Sequence, residues 1–296
     1  MTRPMPEAIT RVNDSAGTFS ERFPVLFDPD GRLQKAEKIV AVLHDYWGRQ
    51  ARLKTVVDVG CSTGIMTRRF AAAFHRVIGL DTDHVGVNNG ARLAVQAGIT
   101  PEKLQFCGAD GCRIPLAADS VDAVICNQVY EHVDDQEGLM AEILRVLRPG
   151  GLCYFGIGTR HVLIEGHYKL PFLSWLPHRL ADLYMRLAGK RARYDVLLLS
   201  YSNLKKLVRR FSVTDYTMDI IKRPEMYAEI HQTAPRRWVQ RWPAWLLELV
   251  LPLIPIHVWV LVKPGPDVAP AAGQFVPRHE LRKERIQQTR STGNAP

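Results

Sequence analysis

Four polar residues stand at or near the ends of four short apolar runs in the first half of the chain. Asp58 lies in Val56-Val57-Asp58-Val59, and a small-residue stretch follows it: Gly60-Cys61-Ser62-Thr63-Gly64. Asp81 closes the run Arg76-Val77-Ile78-Gly79-Leu80 and is followed by Thr82. Asp110, next to Gly111, closes Phe106-Cys107-Gly108-Ala109, and Asn127 closes Val121 to Cys126. A strand, a glycine turn, a helix, a second strand and then a carboxylate is how an open α/β sheet builds a crevice for an adenosine-containing group. Asp81 comes 23 residues after Asp58, near the ~20-residue interval of a carboxylate that bonds ribose hydroxyls. Asp110 is placed to accept from an adenine amino group.

The loop discriminates among such groups. A dinucleotide loop reads G-x-G-x-x-G and brings pyrophosphate to a helix N-terminus. Here the middle glycine position is Ser62, and Asp58 at the strand end repels phosphate. S-adenosylmethionine carries no phosphate; it carries an ammonium, a carboxylate and a sulfonium. A carboxylate for the ammonium and free backbone N–H groups for the carboxylate suit it. The cofactor-binding set is therefore Asp58, Gly60, Cys61, Ser62, Gly64, Asp81, Thr82, Asp110, Gly111 and Asn127.

Those residues need a scaffold. The apolar periodicity predicts strands near 55–59, 76–81, 103–107, 121–126 and 151–158, with helices near 63–74, 85–97 and 134–147 between them, and later a sixth strand over 211–221 and a seventh over 256–262. Such alternation implies right-handed crossovers and a mostly parallel sheet. A helix over 31–49, with Ala36, Ile39, Val40, Leu43 and Trp47 on one side, packs beside the cofactor mouth.

With these motifs in order, the chain resembles the class I S-adenosylmethionine-dependent methyltransferases. Within them it is similar to the type 11 branch, which includes quinone-biosynthesis enzymes. The resemblance runs from about 55 to 155. It rests on Asp58, Gly60 and Gly64, on Asp81, on Asp110, on Asn127 with Glu131-His132-Val133, and on Arg148-Pro149-Gly150-Gly151. It implies a Rossmann-like α/β fold, a seven-stranded mostly parallel sheet with an antiparallel last strand, and helical insertions forming a lid. Five parts are expected: an irregular N-terminal segment and helix (1–54), the cofactor-binding core (55–158), a lid or substrate insertion (159–200), the rest of the core with a helical insertion (201–264), and a disordered basic tail (265–296).

Methyl transfer needs a nucleophile held in line with the S–CH₃ bond; an oxygen nucleophile also needs a base. The candidates are His132 after the fourth strand, and His167 and Tyr168 in the insertion, with His161 nearby. The insertion is rich in proline and aromatic residues (Pro171, Phe172, Trp175, Pro177), and suits a small, apolar or lipid- or glycan-linked acceptor.

Charge is uneven. Residues 1–150 hold 17 basic and 19 acidic residues; residues 151–296 hold 22 and 11. A basic half draws an anionic acceptor, a membrane or nucleic acid, or is a solvated face. Arg236, Arg237 and Arg241 flank Trp238, Trp242 and Trp245, an arrangement suited to an anionic membrane surface. The apolar run 242–262 is broken by Glu248, Pro252, Pro255 and His257, which disfavours a spanning helix. An RNA methyltransferase is the alternative. Against it, Asn127-Gln128-Val129-Tyr130 stands where an Asn-Pro-Pro-Tyr-like tetrapeptide would serve base methylation. A scaffold that binds the cofactor without catalysis is the further alternative. The five cysteines, without a C-x-x-C pair, read as packed thiols, with no metal site, and no secretory leader is seen. The expected location is cytoplasmic, with peripheral contact at the inner membrane face.

Overall fold

In the computed structural model, which describes residues 29–166, 168–190, 193–229, 238–265 and 272–281, the β-branched runs become the centre of one sheet. Strands β1 (Thr55–Val59), β2 (Arg76–Asp81), β3 (Leu104–Gly108), β4 (Val121–Asn127) and β5 (Leu147–Gly158) pair in parallel. β7 (Ile256–Val262) runs antiparallel between β5 and β6 (Ser212–Asp215). With β8 (Phe275–Pro277) at the far edge, the order is β3-β2-β1-β4-β5-β7-β6-β8. The reversal of strand order beside β1 is the switch point where ligands bind at carboxyl ends in open α/β sheets.

Helices α1 (Pro29–Trp47), α2 (Ile65–Ala73), α3 (His84–Gln96) and α4 (Gln136–Val146) cover the sheet. One apolar layer joins α1 and α2 to Val56, Val77, Tyr154 and Val260. A second, on the other face, joins α4 to Val57, Val124, Phe155 and Trp259. Past β5 come α5 (His178–Leu187) in the insertion, α6 (Tyr201–Leu207), α7 (Thr217–Lys222) and α8 (Ala244–Val250).

Two expectations are corrected. Among the described residues the sheet has eight strands, because β8 pairs with the edge of β6 in the segment expected to be a disordered basic tail. Arg278 anchors it: its Nε donates to Asp45 of α1 at 2.9 Å. The expected sixth strand over 211–221 stops at Asp215, since the Asp215 carboxylate accepts the Thr217 N–H at 2.8 Å and turns the chain into α7. Such a side-chain bond competes with the ladder. No helix among the described residues is long and apolar enough to cross a membrane.

Candidate functional site

The loop after β1 is held by backbone geometry that few residues tolerate. Gly60, Ser62 and Gly64 all have positive φ (74°, 50° and 71°). Gly60 and Cys61 donate their N–H groups to Leu80 O at 2.8 and 3.0 Å, so the loop lies on the end of β2. A Cβ on Gly60 would come within 2.5 Å of Val129. On the other side α3 presses against the loop through two glycines. A Cβ on Gly86 would meet Ser62 O at 3.0 Å, and one on Gly90 would meet Thr63 O at 3.2 Å. Sequence reasoning overlooked both, although an i, i+4 glycine pair in a helix is a legible sign of close backbone approach.

The carboxylates take distinct environments. Asp81 is partly open at the end of β2. Its two oxygens accept Ser62 N at 2.7 Å and Asp83 N at 2.9 Å, so this one side chain fixes the loop and the turn into α3. Asp83 caps α3 by accepting Val85 N and Gly86 N. Asp58 is buried, and Thr67 Oγ1 of α2 donates to it at 2.7 Å. Burial raises its pKa to about 7, against the opposing Thr67 bond and the charge of Arg32, and with repulsion from Asp81. Burial raises Asp81 too. Arg32 in turn is pulled down by burial and held up by Asp58 and Asp81.

Arg32 and Thr67 are functional neighbours that the sequence reading passed over. Arg32 lies four residues before Ala36, on the buried stripe of α1 that continues through Ile39, Val40 and Leu43. A charge on an apolar stripe is the signal that could have found it. Helix α1 reaches further across the mouth: Lys35 Nζ donates to Gln128 at the end of β4.

The remaining predicted residues fall as follows. Cys61, Ser62, Gly64 and Asp81 gather around the loop with Asp58. Thr82 is exposed in the turn after β2. Asp110 is exposed beyond β3, accepting Cys112 N at 2.9 Å. Gly111 lets Leu139 and Val59 approach; a Cβ there would stand 2.9 Å from Leu139. Asn127 ends β4 with its side-chain oxygen over Gly156. His132 lies in the single turn after β4, partly exposed, its N–H on Val129 O. Tyr130 is fully buried with its hydroxyl on Gly158 O at 2.6 Å, which removes it as a platform for stacking a base.

Tyr168 packs with Tyr194 in the insertion's own small cluster, built on Leu173, Ala181, Met185 and Val196. Its hydroxyl donates to Asp195 at 2.6 Å, an engagement that fits the tyrosine to hold the insertion together rather than to act as a base. His167 lies outside the described residues, as do Arg236 and Arg237. The insertion itself leaves and returns at one point beside the site. Arg160 N donates to Leu199 O at 2.9 Å, and Leu197 N to Glu131 O at 2.7 Å.

Whether this crevice suits S-adenosylmethionine can be tested on its polar atoms. Ser62 Oγ and Thr63 Oγ1 are buried in the loop without hydrogen-bond partners among the described residues, an arrangement that ordinarily calls for a ligand or water. The Asp58 carboxylate is buried, and the desolvation that raises its pKa outweighs the Thr67 bond and the charge of Arg32. A cation beside Asp58 and acceptors on the loop hydroxyls would complete both. The residues fit the group.

Residues 57–155 match the family described as "Methyltransferase domain" (Methyltransf_11). An uncharacterized methyltransferase of Mycolicibacterium vanbaalenii is 32% identical over 165 residues, 54% of this chain and 62% of that protein. One from Mycolicibacterium gilvum is 33% identical over 177 residues, 57% of this chain and 66% of that protein. The chain spans between about half and two thirds of the length of the curated relatives it matches. Among solved structures, the YcgJ protein of Bacillus subtilis shares 14% identity at a TM-score of 0.49, covering 76% of this chain and 98% of that one. Geranyl diphosphate C-methyltransferase from Streptomyces coelicolor, solved with S-adenosyl-L-homocysteine, shares 17% at 0.47, covering 76% and 77%.

Proposed function

We propose that this chain is a class I S-adenosylmethionine-dependent methyltransferase of type 11, the family that residues 57–155 match, and that the whole protein methylates a small, apolar or lipid- or glycan-linked acceptor. The observation that carries the cofactor half of this reading is the pairing of two carboxylates, buried Asp58 and half-open Asp81, across one strained glycine loop.

When bound, S-adenosylmethionine supplies a methyl group on sulfur, already attached to a good leaving group. The protein's task is to orient and to exclude water. Asp81, fixed by two backbone N–H groups, turns its remaining lone pairs to the ribose hydroxyls. Asp58 offers its charge to the ammonium, and Arg32, in the field of both acids, offers its own to the carboxylate. Ser62 and Thr63 bring hydroxyls that have no partner among the described residues. Asp110 accepts from the adenine amino group beyond β3. Holding the acceptor in line can supply ~7–11 kcal/mol of the barrier in favourable cases. His132, at the turn after β4, is the described residue best placed to take a proton where the acceptor is an oxygen.

The acceptor half rests on surfaces. The insertion is joined to the site by the Leu197–Glu131 bond, and it exposes Phe172 and Trp175. Trp238, Trp245 and Leu249 are exposed near Arg241, which supports contact with an anionic membrane. The test is transfer of tritium from methyl-labelled S-adenosylmethionine to membrane lipid extract, compared with total RNA. Label in the lipid fraction supports the reading; label in RNA alone replaces it with the nucleic-acid alternative.

A pH dependence follows from Asp58. Its folded pKa of about 7 lies above the ordinary carboxylate value of 3.8. The folded state therefore holds a proton that the unfolded chain gives up, and stability falls as pH rises from about 4 to about 7. Thermal melts of the cofactor-free protein between pH 4 and 8 should show this fall. In Arg32→Gln, which removes the cation that acts on Asp58 among the described residues, it should be larger. An ammonium at Asp58 lowers that pKa again, so affinity for S-adenosylhomocysteine should rise with pH across the same window. A flat affinity profile would remove Asp58 from the ammonium contact.

A further inference from the structure

The insertion carries a second surface, which the cofactor crevice does not use. In α5, Ala181 and Met185 are fully buried against the insertion's cluster with Leu173, Tyr194 and Val196. At 100° per residue Leu180, Leu183 and Leu187 fall on the far side of the same helix. They are 52, 51 and 79% exposed, a leucine stripe facing away from the protein. Phe172 and Trp175 are exposed as well, and their rings meet edge to face at 5.6 Å. Phe172 is held at a φ of 55°, a conformation bulky residues rarely adopt, so the backbone accepts strain in presenting it. Thr159, at the foot of the insertion, donates to Pro255 O and Ile254 O, which brings exposed Leu253 and Ile256 alongside its base.

The charges of the insertion are sorted. Residues 159–200 hold seven Lys or Arg and three Asp or Glu. All three acids accept hydrogen bonds from within the insertion: Glu165 from Tyr168 N, Asp182 from Tyr194 N, Asp195 from the Tyr168 hydroxyl. Lys169, Arg179, Arg186 and Lys190 are exposed. An apolar stripe with aromatic rings, rimmed by outward positive charge, is the pattern of a helix lying in a bilayer interface. We propose that α5, with Phe172 and Trp175, is a further surface, beside that of Trp238 and Trp245, by which this protein rests on an anionic lipid bilayer, presenting its site to a lipid-linked acceptor. The purpose of this surface rests on the acceptor reading above; its grounds do not. A second copy of the chain would bring basic rims together. The chain's last fifteen residues offer Ile286 as their only large aliphatic and are themselves basic, so they complement neither the stripe nor its charge.

The experiment is flotation of the full chain with vesicles of phosphatidylcholine alone or mixed with phosphatidylglycerol. The protein should float with the mixed vesicles and stay below with neutral ones. The variant L180S/L183S/L187S should lose at least about tenfold in vesicle affinity. R179Q and R186Q should each lose about fivefold, the worth of one basic residue at an anionic surface. Far-UV circular dichroism and calorimetric binding of S-adenosylhomocysteine, both unchanged in the leucine variant, separate this loss from misfolding. No flotation, equal flotation of the leucine variant, or equal flotation with neutral vesicles overturns the proposal. So does a wild-type dimer, by analytical ultracentrifugation, that the leucine variant turns into a monomer. Failed flotation with intact homocysteine-product binding sinks the surface and leaves methyl transfer standing; flotation without that binding does the reverse.

Discussion

Replacing Asp81 by alanine should weaken binding of S-adenosylhomocysteine by about a hundredfold to a thousandfold, measured by calorimetry. Two ribose hydroxyls donating to one carboxylate are charge-assisted bonds of ~1.5–3 kcal/mol each. The lower half of that range, fitting a carboxylate that is only partly buried, amounts to two or three decades at ~1.4 kcal/mol per decade. The structure adds a second cost. Asp81 is the acceptor for Ser62 N and for Asp83 N, so the variant frees the loop from the turn that starts α3. Asp81→Asn keeps an acceptor in place and removes the charge, and should fall between the two proteins. An alanine variant that binds within threefold of wild type would move the ribose elsewhere.

Gly64→Ala should cost about 3 kcal/mol of folding stability, read from denaturant unfolding. Gly64 has a φ of 71°, where a side chain costs ~1–2 kcal/mol. Its Cβ would stand 2.6 Å from the Phe106 ring and 3.2 Å from the Gly90 backbone, and overpacking of that kind costs ~1–3 kcal/mol. Phe106 cannot retreat freely, because it also lies within 3.0 Å of a Cβ built on Gly79 or Gly90. Gly98→Ala is the internal comparison: it shares the positive φ, 71°, but its Cβ meets nothing within 4 Å. It should therefore cost only the conformational part. Equal losses at the two positions would show that the packing around the loop is looser than described.

The parts of this fold written in local pattern were legible. β2 over 76–81 and β7 over 256–262 fall where the apolar runs place them, since each is a buried strand bounded by polar or turn residues. The loop of 58–64 was legible because its glycines are demanded by φ and by clearance. The middle residue shows the limit of pattern. Ser62 sits at a φ of 50°, the conformation the missing glycine would have supplied, and only the structure shows that its hydroxyl has no partner there among the described residues. β8 was illegible: three residues ending in proline carry no strand signal, and they pair because β6 offers an edge and Arg278 finds Asp45. The break at Asp215 was missed because a β-branched run outweighs one aspartate on any propensity scale, while the Thr217 N–H it captures decides the chain's course. Thr67 and Arg32 act across elements, on a carboxylate 9 and 26 residues away in sequence, and such pairings have no local code.

The account stands on the crevice between Asp58 and Asp81 being built for S-adenosylmethionine. The most direct measurement is a crystal structure of the full chain grown with S-adenosylhomocysteine. The predicted result is ribose hydroxyls within hydrogen-bond distance of the Asp81 carboxylate, with the amino acid end of the ligand lying along Gly60 to Gly64 near Asp58. Clear density for the ligand at another place on the protein, with this crevice closed by side chains, would contradict it.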